Sequence, residues 1–493
     1  MLFTTAAFLL LFLPVTLAGF FVLGRRSHAA AAGWLFLASL FFYGYWMPVF
    51  TLLLLASIGI NFVTGRHIAQ RVRGGAQADA KRWLVLGLVF NLGLLGYFKY
   101  ANFFVDNLHA LFGAQLSWTR VILPIGISFY SFTQIAFLVD AYEGKVDEAN
   151  PVHYGLFVTY FPHLIAGPVL HHAQMMPQFA DPAIYRPRAD RLIGGLAIFA
   201  IGLLKKVVLA DGVAPYADAV FRPADGGALP GMGEAWLGAL AYTLQIYFDF
   251  SGYSDMAIGL SWLFNIRLPF NFDSPYQARS ISDFWRRWHI SLSTFLRDYL
   301  YIPLGGNRHG PARRYLNLAT TMLLGGLWHG AGWTFVIWGG LHGLYLALNH
   351  GFRALLGAAH ASLERQWLYR SASWLLTLLV VVLAWVFFRA ETLGGALRML
   401  QAMAGFGATS ATPVQLWQAG LHASAGAWWC LALGAVALWA PNSNRIGERL
   451  LAELEKPAAW RPMLAGAALA ATTLLLLVNV ARDSVSAFIY FNF

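Results

Sequence analysis

Two adjoining runs decide how this chain folds: NFDSPYQARSISDFWRRWHISLSTFLRDYLYIPLGGNRHGPARR (Asn271–Arg314) and, a few residues on, TTMLLGGLWHGAGWTFVIW (Thr320–Trp338). The first crowds arginines, aspartates and His289 between tryptophans. The second sets His329 among glycines in a segment apolar enough to enter a bilayer. The rest of the chain is mostly hydrophobic, so charge and imidazole here call for a reason. We take these two runs as the functional centre.

Outside them, apolar residues dominate. Of 493 residues, 58% are hydrophobic and only 12% are charged, against about 25% charged in a soluble domain. Many runs approach the roughly 20 apolar residues that cross a bilayer. The chain therefore reads as one polytopic, all-α membrane domain over residues 1–493. A formal charge of +11 could suggest nucleic acid, but the basic residues sit in short loops between apolar runs. That is the positive-inside pattern, and no nucleic-acid partner is expected. Cys430, the single cysteine, lies in WWCLALGAVALW, so no intrachain disulfide can form and packing explains the thiol.

The N-terminal run ends in Arg25 and Arg26, with no basic residue before it and no clear cleavage site. It reads as a retained first span with its N-terminus outside. Further candidate elements are Ala30–Trp46, Pro48–Val63, Trp83–Phe104 (Lys99 and Tyr100 as snorkelling anchors), Ile122–Val139 and Asn150–Gly167. In the last, Pro162 and Pro168 break the helix around His163. Then come Leu192–Leu209, Trp236–Phe250, Trp333–Leu348, Ser373–Phe388, Gly426–Ala440 and Met463–Val480, with Leu393–Met403 as an amphipathic piece. GYSDMAIG places Asp255 near membrane depth. About a dozen elements result, some re-entrant or interfacial. No internal repeat is visible.

From Ile281 to Tyr299 the apolar residues recur at i, i+3, i+4 and i+7, which predicts one helix with Ser280 and Asp283 as a capping box. His289 then falls at the edge of the apolar face, between a wet basic surface and a greasy one. Arg286, Ser293 and Arg297 share the other flank. A purely interfacial helix anchored by Trp and Arg fits the same pattern. Pro303, Gly305 and Gly306 stop the helix, and Arg308, Arg313 and Arg314 hold the following loop inside. Gly-Gly-Asn-Arg could also cradle a phosphate.

His329 carries the strongest expectation. A histidine inside a span usually marks function. Gly325, Gly326, Gly330 and Gly332 let backbones or a ligand approach it, and Trp328 and Trp333 would limit water. Interhelical hydrogen bonding is the plain alternative. His342 falls on another face and suits packing or a supporting role. Neutral histidine is the usual general base near pH 7. No G-x-S-x-G or H-E-x-x-H motif is present and no metal site is expected, so direct transfer, with histidine deprotonating an acceptor hydroxyl, fits best.

YFDFSGYSDMAIG (Tyr247–Gly259), DFWRRWHISLSTFLRDYLYIPLGGNR (Asp283–Arg308) and GGLWHGAGW (Gly325–Trp333) together resemble the membrane-bound O-acyltransferases. The PLGGNR turn and the closing FIYFNF resemble the alginate-acetylating branch of that family. The resemblance implies a bundle of about 11 transmembrane helices with re-entrant or interfacial ones, and funnels from both sides meeting at a buried histidine. His329 matches the family's catalytic histidine and His289 its second position. Asp255, His163 and Trp328 are further candidates. The resemblance further implies acetyl transfer at a bacterial inner membrane, from a cytoplasmic donor such as acetyl-CoA to a periplasmic protein or exported polysaccharide such as alginate. Arg286, Arg297 and Arg308 would meet the donor's phosphates, and membrane lipids would surround the chain. Two other readings stay open: D-alanyl transfer on the same fold, and a transporter or channel with a histidine proton relay.

Overall fold

The computed structural model describes residues 2–113, 117–146, 150–409, 414–456, 459–481 and 488–489. Of the closing FIYFNF only Phe488 and Ile489 fall within them. Among the described residues the backbone forms helices and loops with no strand, apart from one isolated antiparallel bridge between Phe272 and Trp288. Helix suits long apolar runs in a bilayer, because it satisfies each backbone N–H and C=O within its own segment.

Six helices there are long and apolar enough to cross a membrane: Ala7–Gly24, Pro48–Arg73, Gln77–Phe112, Ala189–Asp225, Trp367–Arg389 and Arg461–Val480. The bent pair Ala423–Trp439 and Ser443–Leu454 makes a seventh if counted as one span. The expected count of about eleven is not reached by that measure. Several apolar runs are interrupted by their own residues: the one at Asn150–Gly167 yields only the helix Pro151–Thr159, and Tyr160 leaves helical geometry (φ −49°, ψ 110°) before Pro162.

The chain divides into two compact units. The first comprises Met1–Leu203, Tyr253–Phe270 and Arg445–Asn492. Its apolar helices are joined by buried amides: Asn61 and Asn91 exchange reciprocal hydrogen bonds (3.2 and 2.6 Å), and Gln134 donates to Ser57 Oγ (3.0 Å). Such side chains hold helices together where lipid offers no hydrophobic driving force. Lys99 departs from expectation. It is 7% exposed and points inward, with Nζ donating to Ser128 Oγ at 3.1 Å.

The second unit comprises Leu204–Gly252 and Asn271–Asn444. Six helices concern the site: α1 (Met232–Leu263, whose last residues belong to the first unit), α2 (Ile281–Arg287), α3 (Ile290–Leu296), α4 (Gly310–His329), α5 (Trp333–Leu356) and α6 (Trp367–Arg389). Lys206, at the end of an apolar run, is also buried here. Its Nζ lies 2.7 Å from Asp249 of α1 and 2.8 Å from Asp211. Two carboxylates offset the cost of burying one ammonium, which unpaired would be prohibitive.

Candidate active site

The helix expected from Ile281 to Tyr299 is broken in the middle. Ser280 caps α2 by accepting from the Asp283 N–H (3.1 Å), but Asp283 turns its carboxylate to Arg287 Nε (3.0 Å), so the capping box is only half made. Trp288 is extended (φ −102°, ψ 126°), and His289 takes left-handed geometry (φ 45°, ψ 55°). For a non-glycine residue that geometry costs about 1–3 kcal/mol and survives only if the surroundings over-determine it. Here the strand-like segment before α2 does so. Asp273 N–H donates to Arg287 O (2.9 Å) and Ile290 N–H to Asn271 O (3.0 Å). The Asn271 side-chain oxygen accepts from both the N–H (3.1 Å) and the hydroxyl (2.7 Å) of Ser291.

This break corrects the expected position of His289. Periodicity placed it at a wet boundary; the kink turns it fully inward, at 0% exposure. Periodicity could not show this, because the competing hydrogen bonds come from residues eighteen or so positions upstream.

His329 is the last residue of α4, at the tip of the hairpin that α4 makes with α5 through Gly330–Gly332. Glycine makes the hairpin tight. A Cβ at Gly326 would stand 2.3 Å from Phe335 O and 3.1 Å from Gly339 Cα, and one at Gly330 would stand 2.2 Å from the Phe335 ring. The expected close approach of backbone is thus met at Gly326, while at Gly330 the close neighbour is a ring. At Gly332 nothing comes nearer than 3.6 Å.

The two histidines meet. Their ring centroids lie 6.4 Å apart, with His329 3% exposed. Phe250 of α1 packs on His289 at 4.8 Å. Trp328 lies 6.1 Å from His289 and 4.9 Å from His329, and Trp338 and Phe388 lie 5.1 and 5.2 Å from His329. His342 forms a layer beneath: Trp285 Nε1 donates to its Nδ1 (3.2 Å), and its ring lies 4.7 Å from Trp338. His289, in the turn between α2 and α3 and outside the spanning helices, is pushed down to about 3 by burial. It is therefore a neutral imidazole at physiological pH.

Trp333, expected to wall the site, is 56% exposed. Trp338 and Phe388 take that part. Trp338 closes the Thr320–Trp338 run, but no local pattern marks Phe388, 59 residues beyond His329. His163 and Asp255 belong to the first unit. His163 is buried in the turn after Pro151–Thr159, and Asp255 is buried in the last part of α1.

The three arginines expected at the donor part company. Arg297 holds Asp298 (2.6 Å) and Arg308 follows the Gly305–Gly306 turn. Arg286 borders a cavity of about 900 Å³ formed by α2, α5 and α6. Among the described residues, no group of three or more His, Cys, Asp or Glu is placed to hold a metal ion.

Residues 75–388 match the sequence pattern of the membrane-bound O-acyltransferases. Over 83% of its length the chain is 43% identical to a peptidoglycan O-acetyltransferase of Helicobacter pylori, covering 81% of that protein. Over the same share it is 47% identical to a probable alginate O-acetylase of Azotobacter vinelandii, covering 79% of it. A teichoic acid D-alanyltransferase of Bacillus subtilis is 27% identical over 47% of this chain and 60% of its own. The buried histidine pair thus stands in a multi-pass enzyme, and the chain belongs to the membrane-bound O-acyltransferase family.

Proposed function

We propose that the protein transfers acetyl groups from a cytoplasmic thioester donor, acetyl-CoA, for O-acetylation of an exported polysaccharide, through a periplasmic acceptor, and that it resides in the bacterial inner membrane. The observation that carries this reading is the meeting of His329 with His289 at the buried tip of the α4–α5 hairpin. Acetylated polymers are named for both long matches, whereas D-alanyl transfer is named for shorter, more distant ones. A proton-relay transporter has no support of that kind.

In this reading the acceptor hydroxyl loses its proton to His329 as its oxygen attacks the thioester carbonyl. The tetrahedral intermediate collapses by breaking the C–S bond, and the thiolate takes the proton back from the imidazolium. His289, neutral through burial, orients the base or the carbonyl. The ring walls of Trp328, Trp338 and Phe388 keep water from the thioester, which limits hydrolysis. The arginines at the loop ends, Arg308, Arg313 and Arg314 among them, would draw a phosphate-bearing donor to the cytoplasmic face.

The test is His329→Ala at equal membrane abundance. General-base catalysis is worth roughly 10²–10⁴ in rate, so polymer acetyl content should fall to near background. Wild-type acetylation in that variant would end the assignment. Feeding purified protein labelled acetyl-CoA and, separately, a D-alanyl carrier distinguishes the two cargoes.

A further inference from the structure

Neither His289 nor His329 lines the cavity beside α2, which has two distinct surfaces. Its wall is apolar: Leu348, Phe352 and Leu355 of α5 and Leu376 and Val380 of α6 line it. Leu348, Phe352, Leu355 and Leu376 are 60, 49, 89 and 62% exposed, so the groove opens sideways on the outer face of α5 and of α6, one of the six long apolar helices, and does not close around a ligand from within. Its rim is basic, with Arg279, Arg286, Arg353 and Arg370. The acids at the rim are already engaged. Asp283 binds Arg287 at 3.0 Å, and Glu364 lies 3.5 Å from Arg353 and 3.6 Å from His360. Among the described residues Arg279, Arg286 and Arg370 take part in no ion pair.

From Arg370 to Val380 the groove follows ten residues of α6, about 15 Å at 1.5 Å per residue. That is half of the ~30 Å hydrocarbon core, the depth of one leaflet. Positive-inside topology puts the arginine end at the cytoplasmic leaflet, where anionic lipids concentrate. A surplus of guanidinium at headgroup level, above an apolar groove one leaflet deep and open to the side, matches one kind of molecule. We propose that an anionic phospholipid of the inner leaflet seats here, its phosphate on Arg279, Arg286 and Arg370 and an acyl chain along Leu348, Phe352 and Leu376. The deep end of the groove reaches Tyr345, whose ring lies 5.8 Å from His342. Ser282 of α2 bonds Asn349 of α5 beside it (3.0 Å). An occupant there braces α2 against α5 and α6, the helices that position the histidines.

Native mass spectrometry of the full chain, delipidated in detergent and titrated with an equimolar mixture of dioleoyl phosphatidylglycerol and dioleoyl phosphatidylcholine, tests this. Each arginine near a headgroup is worth roughly fivefold, so the anionic lipid should be retained at least about tenfold over the zwitterionic one. Arg279→Gln/Arg286→Gln/Arg370→Gln should erase the preference, and Arg370→Gln alone, on an exposed side chain, should weaken it. Arg308→Gln/Arg313→Gln should leave it intact. Equal retention of the two lipids by the wild type, or a preference that survives the triple change, overturns the proposal. Displacement of bound phosphatidylglycerol by acetyl-CoA overturns it too, and would assign the groove to the donor.

Discussion

Gly326→Ala should separate the geometry of the hairpin from its chemistry. The new methyl would stand 2.3 Å from Phe335 O, where ordinary contact begins near 3.4 Å, and 3.1 Å from Gly339 Cα. Both obstacles are backbone of α5, so no side chain can swing aside and α4 must shift by about 1 Å relative to α5. Replacing a helical glycine by alanine returns roughly 1 kcal/mol in propensity, while overpacking of this kind costs about 1–3 kcal/mol. Net stability should therefore change by no more than about 2 kcal/mol, and the variant should still reach the membrane. His329 lies three residues beyond Gly326, about 4.5 Å along the axis, and moves with the helix end. A misplacement near 1 Å can cost on the order of 100-fold in rate. Gly325→Ala is the control, since its methyl meets only the tip of Leu296, at 3.3 Å. The assay is labelled acetyl transfer per unit of purified enzyme in parallel with thermal unfolding in detergent. Wild-type turnover by Gly326→Ala, or equal losses in both variants, would refute the reasoning that the tight α4–α5 contact places the base.

Further outcomes follow from the same geometry. Trp285→Phe keeps the ring but removes the N–H given to buried His342 Nδ1; it should cost about 1–3 kcal/mol, read as a lowered midpoint in thermal unfolding, with a smaller effect on turnover than loss of His329. Burial that depresses His289 to about 3 makes stability depend on pH: in the unfolded chain this group binds a proton below about 6.5, and in the folded chain it does not. Its contribution is complete above the unfolded value and declines as pH falls toward the folded one, so the unfolding midpoint should drop between pH 7 and pH 4. His289→Asn should flatten that slope; an unchanged slope would mean that His289 is not responsible.

Much of the plan was legible in residue order alone. Fifty-eight per cent hydrophobic residues, gathered in long continuous runs between basic loops, point to helices in a bilayer, since lipid offers backbone groups no partner and a helix pairs them within its own segment. The same holds for His329 flanked by Gly326 and Gly330: a histidine among small residues in an apolar run signals close packing around a polar group, and that signal is local. The PLGGNR stop and the break at Pro162 were local as well.

What failed in the sequence reading failed because long-range partners outbid local pattern. Periodicity over Ile281–Tyr299 implied one helix with His289 at its wet edge, yet the backbone of Asn271 and Asp273 competes for its hydrogen bonds and turns His289 inward. Lys99 reads as an interfacial anchor, yet the Ser128 hydroxyl accepts from it inside the bundle. Phe388 and Trp338 became walls of the site because α5 and α6 bring them there. Residue order thus determined that this chain is a polytopic helical protein with His329 packed among glycines, because apolar runs and glycine spacing act through neighbours in sequence. Tertiary structure alone decided that His289 joins His329 and that Phe388 packs on it, because those contacts join segments tens of residues apart.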